Sequence, residues 1–324
     1  MLKVIEPGLS TTVQDLGRDG YYHLGMPPSG AADQYSYQIG NILLGNPVNY
    51  AALEITLLGP KLEFYKKTMI VITGAPVSSY LNERLIPMWQ AVEVKPGDVM
   101  SFKFNQLGVF SYLCVSGGIQ VPEVMGSKST YQTTGLGGFK GRNLKAGDEI
   151  DIGEPLPGVF KNVGKAIPSE FIPINEQEIQ VRVVLGFASY LLTDEGVRTL
   201  LNNEWTVSTE SSRIAYRCQG PSINIKNDET PFGAGSGFSN VVDTTYPLGG
   251  IVLPNSEEII LFLKDATTGG GFMTIGTVIS PDLDLIAQLR PAAKIRFTAV
   301  TVNQAVQVRR ERNKKIGLLE EILK

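Results

Sequence analysis

Residues 7–21 read Pro7-Gly8-Leu9-Ser10-Thr11-Thr12-Val13-Gln14-Asp15-Leu16-Gly17-Arg18-Asp19-Gly20-Tyr21, and 25–33 follow as Gly25-Met26-Pro27-Pro28-Ser29-Gly30-Ala31-Ala32-Asp33. As plain structure this is a β-hairpin leading into a helix N-terminus. Part of it recurs. Arg18-Asp19-Gly20-Tyr21 with Gly25 is echoed by Arg213-Ile214-Ala215-Tyr216 with Gly220, and both read Arg-x-small-Tyr-x3-Gly. A second echo, in the same order, joins Leu144-Lys145-Ala146-Gly147-Asp148-Glu149-Ile150 to Leu289-Arg290-Pro291-Ala292-Ala293-Lys294-Ile295. Two echoes in order predict two similar domains related by internal duplication.

The segments around the echoes are strands. Met69-Ile70-Val71-Ile72-Thr73, Phe110 to Val115, Val181 to Leu185 and Glu258 to Leu263 are rich in β-branched and aromatic residues and bounded by turn formers. Helices are few: Asp33 to Leu44, Thr193 to Leu201, a short one opened by Ser280-Pro281-Asp282, and one from Thr301 to the C-terminus. Thr301 and Gln304 have the spacing of a capping box. The expected layout is a first β-barrel domain over 1–157, a Pro/Gly-rich linker over 158–179, a second over 180–300, and a C-terminal helix over 301–324.

The 324 residues are 43% hydrophobic and 19% charged, enough for a sizeable core in each half. A net charge of −3 gives no electrostatic reason to expect nucleic acid. No apolar run approaches the roughly 20 residues that span a bilayer, and the first residues are too charged for a signal peptide. Cys114 and Cys218 have no CxxC partner, so buried thiols in a cytoplasmic protein are expected. With one histidine, His23, a His-rich zinc site is excluded and no metal is expected. Chemistry falls to carboxylates, cations, Tyr, amides and backbone dipoles.

Three runs carry such groups. In the opening stretch, amides around Ser29 and Gly30 face a ligand at the start of the Asp33 helix, and Arg18 offers a bidentate fork for an anion. Thr133 to Arg142 is Gly-rich with two cations, matches neither phosphate-loop pattern, and reads as a ligand-facing loop beside Ser127-Lys128-Ser129-Thr130-Tyr131. Lys264-Asp265-Ala266-Thr267-Thr268-Gly269-Gly270-Gly271-Phe272 reads as a Gly-rich turn, either a hairpin or a set of amides presented to an oxyanion. The basic residues from Arg309 to Lys315 precede an apolar stripe, expected to dock on the body, the alternative being a membrane or partner helix.

Together these phrases resemble the biotin-dependent carboxyltransferase family, also described as allophanate hydrolase subunit 2, which includes KipA and the C component of the bacterial ATP-dependent 5-oxoprolinase. The resemblance rests on 11–21, 27–33, Leu53-Glu54-Ile55-Thr56-Leu57-Leu58-Gly59-Pro60, Gly126 to Tyr131, Gly135 to Arg142, and Leu285 to Pro291. It implies two cyclophilin-like β-barrels with a site in the cleft between them. It implies a KipI-like B component and a LamB/YcsF-type A component as partners, with ATP bound through the complex. The substrate is then a small amide or lactam, 5-oxoproline first. Two other readings are a carboxyltransferase component served by carboxybiotin on a separate carrier, and a non-catalytic KipA-like antagonist of a KipI-type kinase inhibitor. Thr267 to Met273 and Ser212 to Arg217 depart from the family pattern.

On this reading the catalytic set is Arg18, Gln14, Asp15, Arg142 and Tyr131, and the substrate-binding set is Ser29, Gly30, Asp33, Thr268, Gly269, Gly270 and Arg213. Arg18 and Arg142 supply charge, Gln14 and Ser29 orient the amide, and Asp15 or Asp33 holds the arginine.

Overall fold

The computed structural model describes residues 1–324 apart from 106, 227–231, 236 and 238. It is mainly β, with four α-helices among the described residues. Two compact units are interleaved in sequence. The first takes Met1–Arg18, Ser29–Asn175 and Asn313–Lys324; the second takes Asp19–Pro28 and Glu176–Arg312.

In the first unit, one sheet has seven strands in the order Ile119–Gln120, Glu149–Ile152, Leu2–Glu6, Lys61–Phe64, Val99–Phe102, Ser79–Leu81, Arg84–Ile86. The other has five, in the order Ser10–Gln14, Ala52–Thr56, Phe110–Val115, Thr68–Gly74, Val92–Val94. Both contribute to one apolar core that includes Leu2, Val4, Leu53, Phe64, Ile72 and Leu113. Strand Thr68–Gly74 is buried at every position, so it reads as a continuous apolar run and not as an alternation.

The second unit closes as a seven-stranded barrel. Closure is made by a parallel pairing of Glu178–Leu185 with Lys294–Ala299, in register from Glu178↔Lys294 to Val183↔Ala299. Along the first of these strands Val181 and Val183 are fully buried and alternate with more exposed residues, as a barrel wall requires. Trp205 is fully buried in this core, and its indole N–H donates to the Leu200 carbonyl at 3.1 Å.

The division departs from the layout expected of the sequence at two places. Residues 158–175 are not a free linker. Val159, Ile167 and Phe171 are buried, and the segment hydrogen-bonds along Trp89–Ala91 (Ile167 N–H to Trp89 O, 2.8 Å; Ala91 N–H to Lys165 O, 2.9 Å). Asp19–Pro28 leaves the first unit and packs with the second. Pro and Gly mark irregular backbone, but they do not report what that backbone touches. The C-terminal helix, Val302–Leu323, begins with the expected box: Gln304 N–H donates to Thr301 Oγ1 and Thr301 N–H to Gln304 Oε1. Ile316 and Leu319 on its last turns are buried, and Lys315 lies over the Tyr35 and Phe171 rings. No described helix is long and apolar enough to cross a membrane.

The two echoes fare differently. Arg18 to Gly25 lies in irregular chain and a short 3-10 turn, whereas Ala215–Gln219 is a barrel strand, so that pair is not equivalent. The second pair matches bond for bond. Gly147 N–H donates to Val4 O and Val4 N–H to Asp148 O; Ala292 N–H donates to Val207 O and Val207 N–H to Ala293 O. The strands that follow pair antiparallel in the same register, Leu2↔Ile150 and Lys3↔Glu149 against Trp205↔Ile295 and Thr206↔Lys294. Gly147 has φ +87° and Ala292, at the matching position, φ +71°.

Left-handed backbone costs an L-residue about 1–2 kcal/mol, and a glycine costs about 0.4–1 kcal/mol through the unfolded chain. Ala292→Gly is therefore expected to stabilise by about 0.5–1 kcal/mol and Gly147→Ala to destabilise by about as much in denaturant titrations. A loss for Ala292→Gly would contradict the assignment.

Candidate active site

Strand Ser10–Gln14 carries the polar residues of the opening stretch into the first unit. Gln14 is fully buried, Asp15 is 7% exposed and Arg18 2%. Asp15 organises the local chain. Its Oδ1 accepts from Gly17 N–H (2.8 Å), Ser127 Oγ–H (2.6 Å) and Ser129 Oγ–H; its Oδ2 accepts from Lys128 N–H (2.6 Å). One buried carboxylate thus ties 15–17 to a segment more than a hundred residues away. The same segment is held by Thr130, whose N–H and hydroxyl both donate to Val13 O. The expectation that Asp15 holds Arg18 gives way to this arrangement. Its oxygens serve the Ser127–Ser129 segment, and Arg18 Nη2 donates to the Ser129 carbonyl. Asp15 positions Arg18 indirectly, through Ser129.

Ser29, Gly30 and Asp33 approach from the other side. Ala31 N–H donates to Asp15 O at 2.8 Å. Ser29 is fully buried in left-handed conformation (φ +53°), an uncommon state for a non-glycine residue. A Cβ on Gly30 would stand 2.7 Å from Leu16 C and O, so only glycine fits there. Asp33 caps the helix Gln34–Leu43: its Oδ1 accepts from Ser36 N–H at 2.9 Å and its Oδ2 from the Ser36 hydroxyl at 2.6 Å. Glu54, which the sequence offered only as part of a family phrase, is the anchor behind it. Its Oε2 accepts from Ala32 N–H (2.8 Å) and the Tyr112 hydroxyl (2.9 Å), while Tyr112 Oη accepts from Asp33 N–H (2.8 Å). Burial, then the Glu54 charge, push the Tyr112 phenol far above its usual range, so it stays a hydrogen-bond donor.

Gln14 Oε1 and Ser29 Oγ, both buried in this seam, have no hydrogen-bond partner among the described residues. Gln14 spends its amide N–H groups on Thr12 Oγ1 and the Thr130 carbonyl. Unpaired buried polar atoms are costly, roughly 1–3 kcal/mol each.

Three glycines of the Gly-rich run are packing positions. A Cβ on Gly137, Gly138 or Gly141 would collide with the Ser129 carbonyl, Thr130 Oγ1 and the Gly135 carbonyl respectively, and the one on Gly137 would also stand 2.8 Å from Arg18 Nη2. The glycines let this chain wrap Arg18 and the 129–130 segment. Tyr131, 8% exposed, closes the turn through paired backbone bonds with Leu136. Arg142 stands apart: its fork is taken by Asp148 (2.7 and 2.8 Å) and its side chain is 29% exposed. The hydrogen bond from Arg142 holds the Asp148 carboxyl below its usual range. Asp148 also accepts from Lys145 N–H, so this pair fixes the 145–148 turn.

The remaining predicted residues belong to the second unit. Thr268, Gly269 and Gly270 do not form a turn. Gly269–Phe272 is a strand paired with Asn240–Thr245, because a bare backbone can lie against the Tyr246 ring, 2.9 Å from a Cβ on Gly270. Arg213 is paired with Asp265, Nε to Oδ2 at 2.9 Å, with both side chains largely buried. Next to Asp265 stands a residue that sequence reasoning passed over. Lys264 ends the apolar strand run and is 8% exposed. Burial pulls its pKa down to about 8, against the Asp284 and Asp19 carboxylates and with Arg213 and Arg312. A lysine directly after Ile259-Ile260-Leu261-Phe262-Leu263 was the available signal. Among the described residues no cluster of three or more His, Cys, Asp or Glu is arranged for a metal ion.

Asp15→Asn places an amide N–H₂ among donors and is expected to cost about 2–4 kcal/mol in chemical denaturation; an unchanged midpoint would contradict the anchor. For Lys264, the folded chain releases its proton near pH 8 and the unfolded chain near 10.4. Between those values the unfolded state binds more protons, so stability rises with pH. Lys264→Met should be the more stable protein at pH 7, by about 2–3 kcal/mol, with the advantage fading toward pH 10. Denaturation midpoints across that range check it, and a pH-independent difference would contradict it.

Comparison with known proteins matches residues 24–299 to the carboxyltransferase domain, subdomain A and B. The chain is 32% identical to urea amidolyase of Lachancea kluyveri, over 98% of its own length and 18% of that protein. It is 30% identical to the C component of 5-oxoprolinase from Haemophilus influenzae, over 96% of its own length and 95% of that one. The Kluyveromyces lactis urea carboxylase structure superposes with a TM-score of 0.92 at 33% identity, covering 98% of this chain and 29% of that chain. The chain thus spans less than a third of the urea-metabolising relatives and nearly all of the oxoprolinase component. The shared fold and the length of the matched region lead to one conclusion: this chain belongs to the carboxyltransferase domain family, subdomain A and B.

Proposed function

We propose that this chain is the C component of an ATP-dependent 5-oxoprolinase complex, which opens the lactam of 5-oxoproline to glutamate with a KipI-like B component and a LamB/YcsF-type A component. The observation that carries this reading is the end-to-end match to the C component of 5-oxoprolinase, 96% of one chain against 95% of the other. In the reaction the ring C–N bond breaks, water supplies the new carboxylate oxygen, and the ring nitrogen takes a proton.

The first-unit seam supplies groups suited to a lactam acid. Arg18 is a fixed guanidinium for the substrate carboxylate. Gln14 Oε1 accepts the lactam N–H, and Ser29 Oγ donates to a carbonyl oxygen. In the second unit Lys264, poised to lose its proton near pH 8, is our candidate for a group that exchanges a proton. ATP, on this reading, is bound through the complex. A nucleotide needs an open cradle of amides, and Gly137, Gly138 and Gly141 are packed against Ser129, Thr130 and Gly135. Arg18, Gln14 and Ser29 are all closed off, at 2%, 0% and 0% exposure. Activity therefore requires the seam to open, and we assign that step to assembly with the partner proteins, which leaves the chain inactive alone.

The urea amidolyase and urea carboxylase relatives favour a second reading, carboxyl transfer from carboxybiotin on a separate carrier to a small amide. One experiment separates the two. The chain is combined with the proteins encoded beside it and given ATP with 5-oxoproline, or a carboxylated biotin carrier with urea. Glutamate release that stops when this chain is omitted is the expected result. Complex formation without glutamate release overturns the substrate assignment, and urea carboxylation in its place establishes the second reading.

A further inference from the structure

We propose that the second unit carries a separate binding site for an amphipathic ligand with an apolar body and a cationic head. An open cavity of about 1320 Å³ lies wholly within residues of that unit. It exceeds the roughly 300–1,000 Å³ usual for small-molecule sites, far more room than one urea or one 5-oxoproline fills.

The walls are apolar, with Leu191, Val241 and Met273 among them. At the mouth, Phe187 is fully exposed and Tyr190 is 69% exposed. Large aromatics left in water beside an apolar cavity are the mark of a surface that is covered when occupied. The polar groups that line it are neutral hydroxyls and an amide, with one exception. Asp19 is the only charged residue among the described residues that line the cavity. Tyr22 lies with it; burial, then the Asp19 charge, raise its phenol above the ordinary range, so it remains protonated. Deeper, Thr274 Oγ1 is buried with no hydrogen-bond partner among the described residues. An acid such as 5-oxoproline would find no cation among the described residues that line the cavity. The inference is therefore independent of the oxoprolinase reading.

The test uses the purified full chain with N-phenyl-1-naphthylamine, a neutral apolar dye, displaced by dodecylammonium or by laurate below their micellar concentrations. Saturable binding is expected, with dodecylammonium displacing at about fivefold lower concentration than laurate in low salt, the range of a partly exposed ion pair. Asp19→Asn should erase that preference. Val242→Arg, at a lining residue that is 60% exposed and so dispensable for folding, should weaken dye binding at least tenfold. Unsaturable binding, laurate displacing as well as the amine, or an unchanged dye affinity in Val242→Arg would each overturn the proposal.

Discussion

The Asp15 carboxylate is the constraint on which the first unit's polar seam depends. Four donors from two distant segments converge on its two oxygens. Carboxylates accept and do not donate, so a buried one surrounded by N–H and O–H groups is stable only when every donor points at it. That requirement fixes the Ser127–Ser129 segment against 14–17. The Ser129 carbonyl is then in place for the Arg18 guanidinium, and the glycines at 137 and 138 let the chain close over both. Glu54 does the same for the opposite rim through Ala32, Tyr112 and Asp33. Two buried acids thus hold the chain on either side of Gln14 Oε1 and Ser29 Oγ, which find no partner among the described residues.

In the first unit a turn, a left-handed residue and the strand after it bond in fixed register to Leu2–Glu6, and in the second the same set bonds to Trp205–Val207. In the first unit the turn is held by the Arg142–Asp148 pair. In the second, Arg290 N–H donates to Gln177 Oε1. The same geometry is stabilised by different chemistry, so the matching positions keep their backbone and not their side chains.

Much of this was legible in the sequence. The mainly β fold, the few helices, the capping box at Thr301 and the concentration of polar groups at 14–33 all follow from local pattern. The Leu144/Leu289 echo also held, because turn geometry is a local property. What was not legible depends on contacts between distant residues. Arg142 looked like a free cation because Asp148 carries no mark of being its partner. The packing role of Gly137 and Gly138 was hidden because the atoms against them belong to Ser129 and Thr130. Gly269–Phe272 looked like a turn because β-propensity does not register a glycine strand packed on an aromatic ring. Lys264 became visible only once its burial was known.

The central claim is that the buried Arg18 guanidinium binds the substrate carboxylate. Steady-state kinetics of the assembled complex carrying Arg18→Lys test it most directly, with assembly checked by size. A lysine keeps the charge and loses the planar fork, so KM for 5-oxoproline is predicted to rise at least tenfold with the complex intact. Wild-type KM and kcat in the intact Arg18→Lys complex would contradict the account.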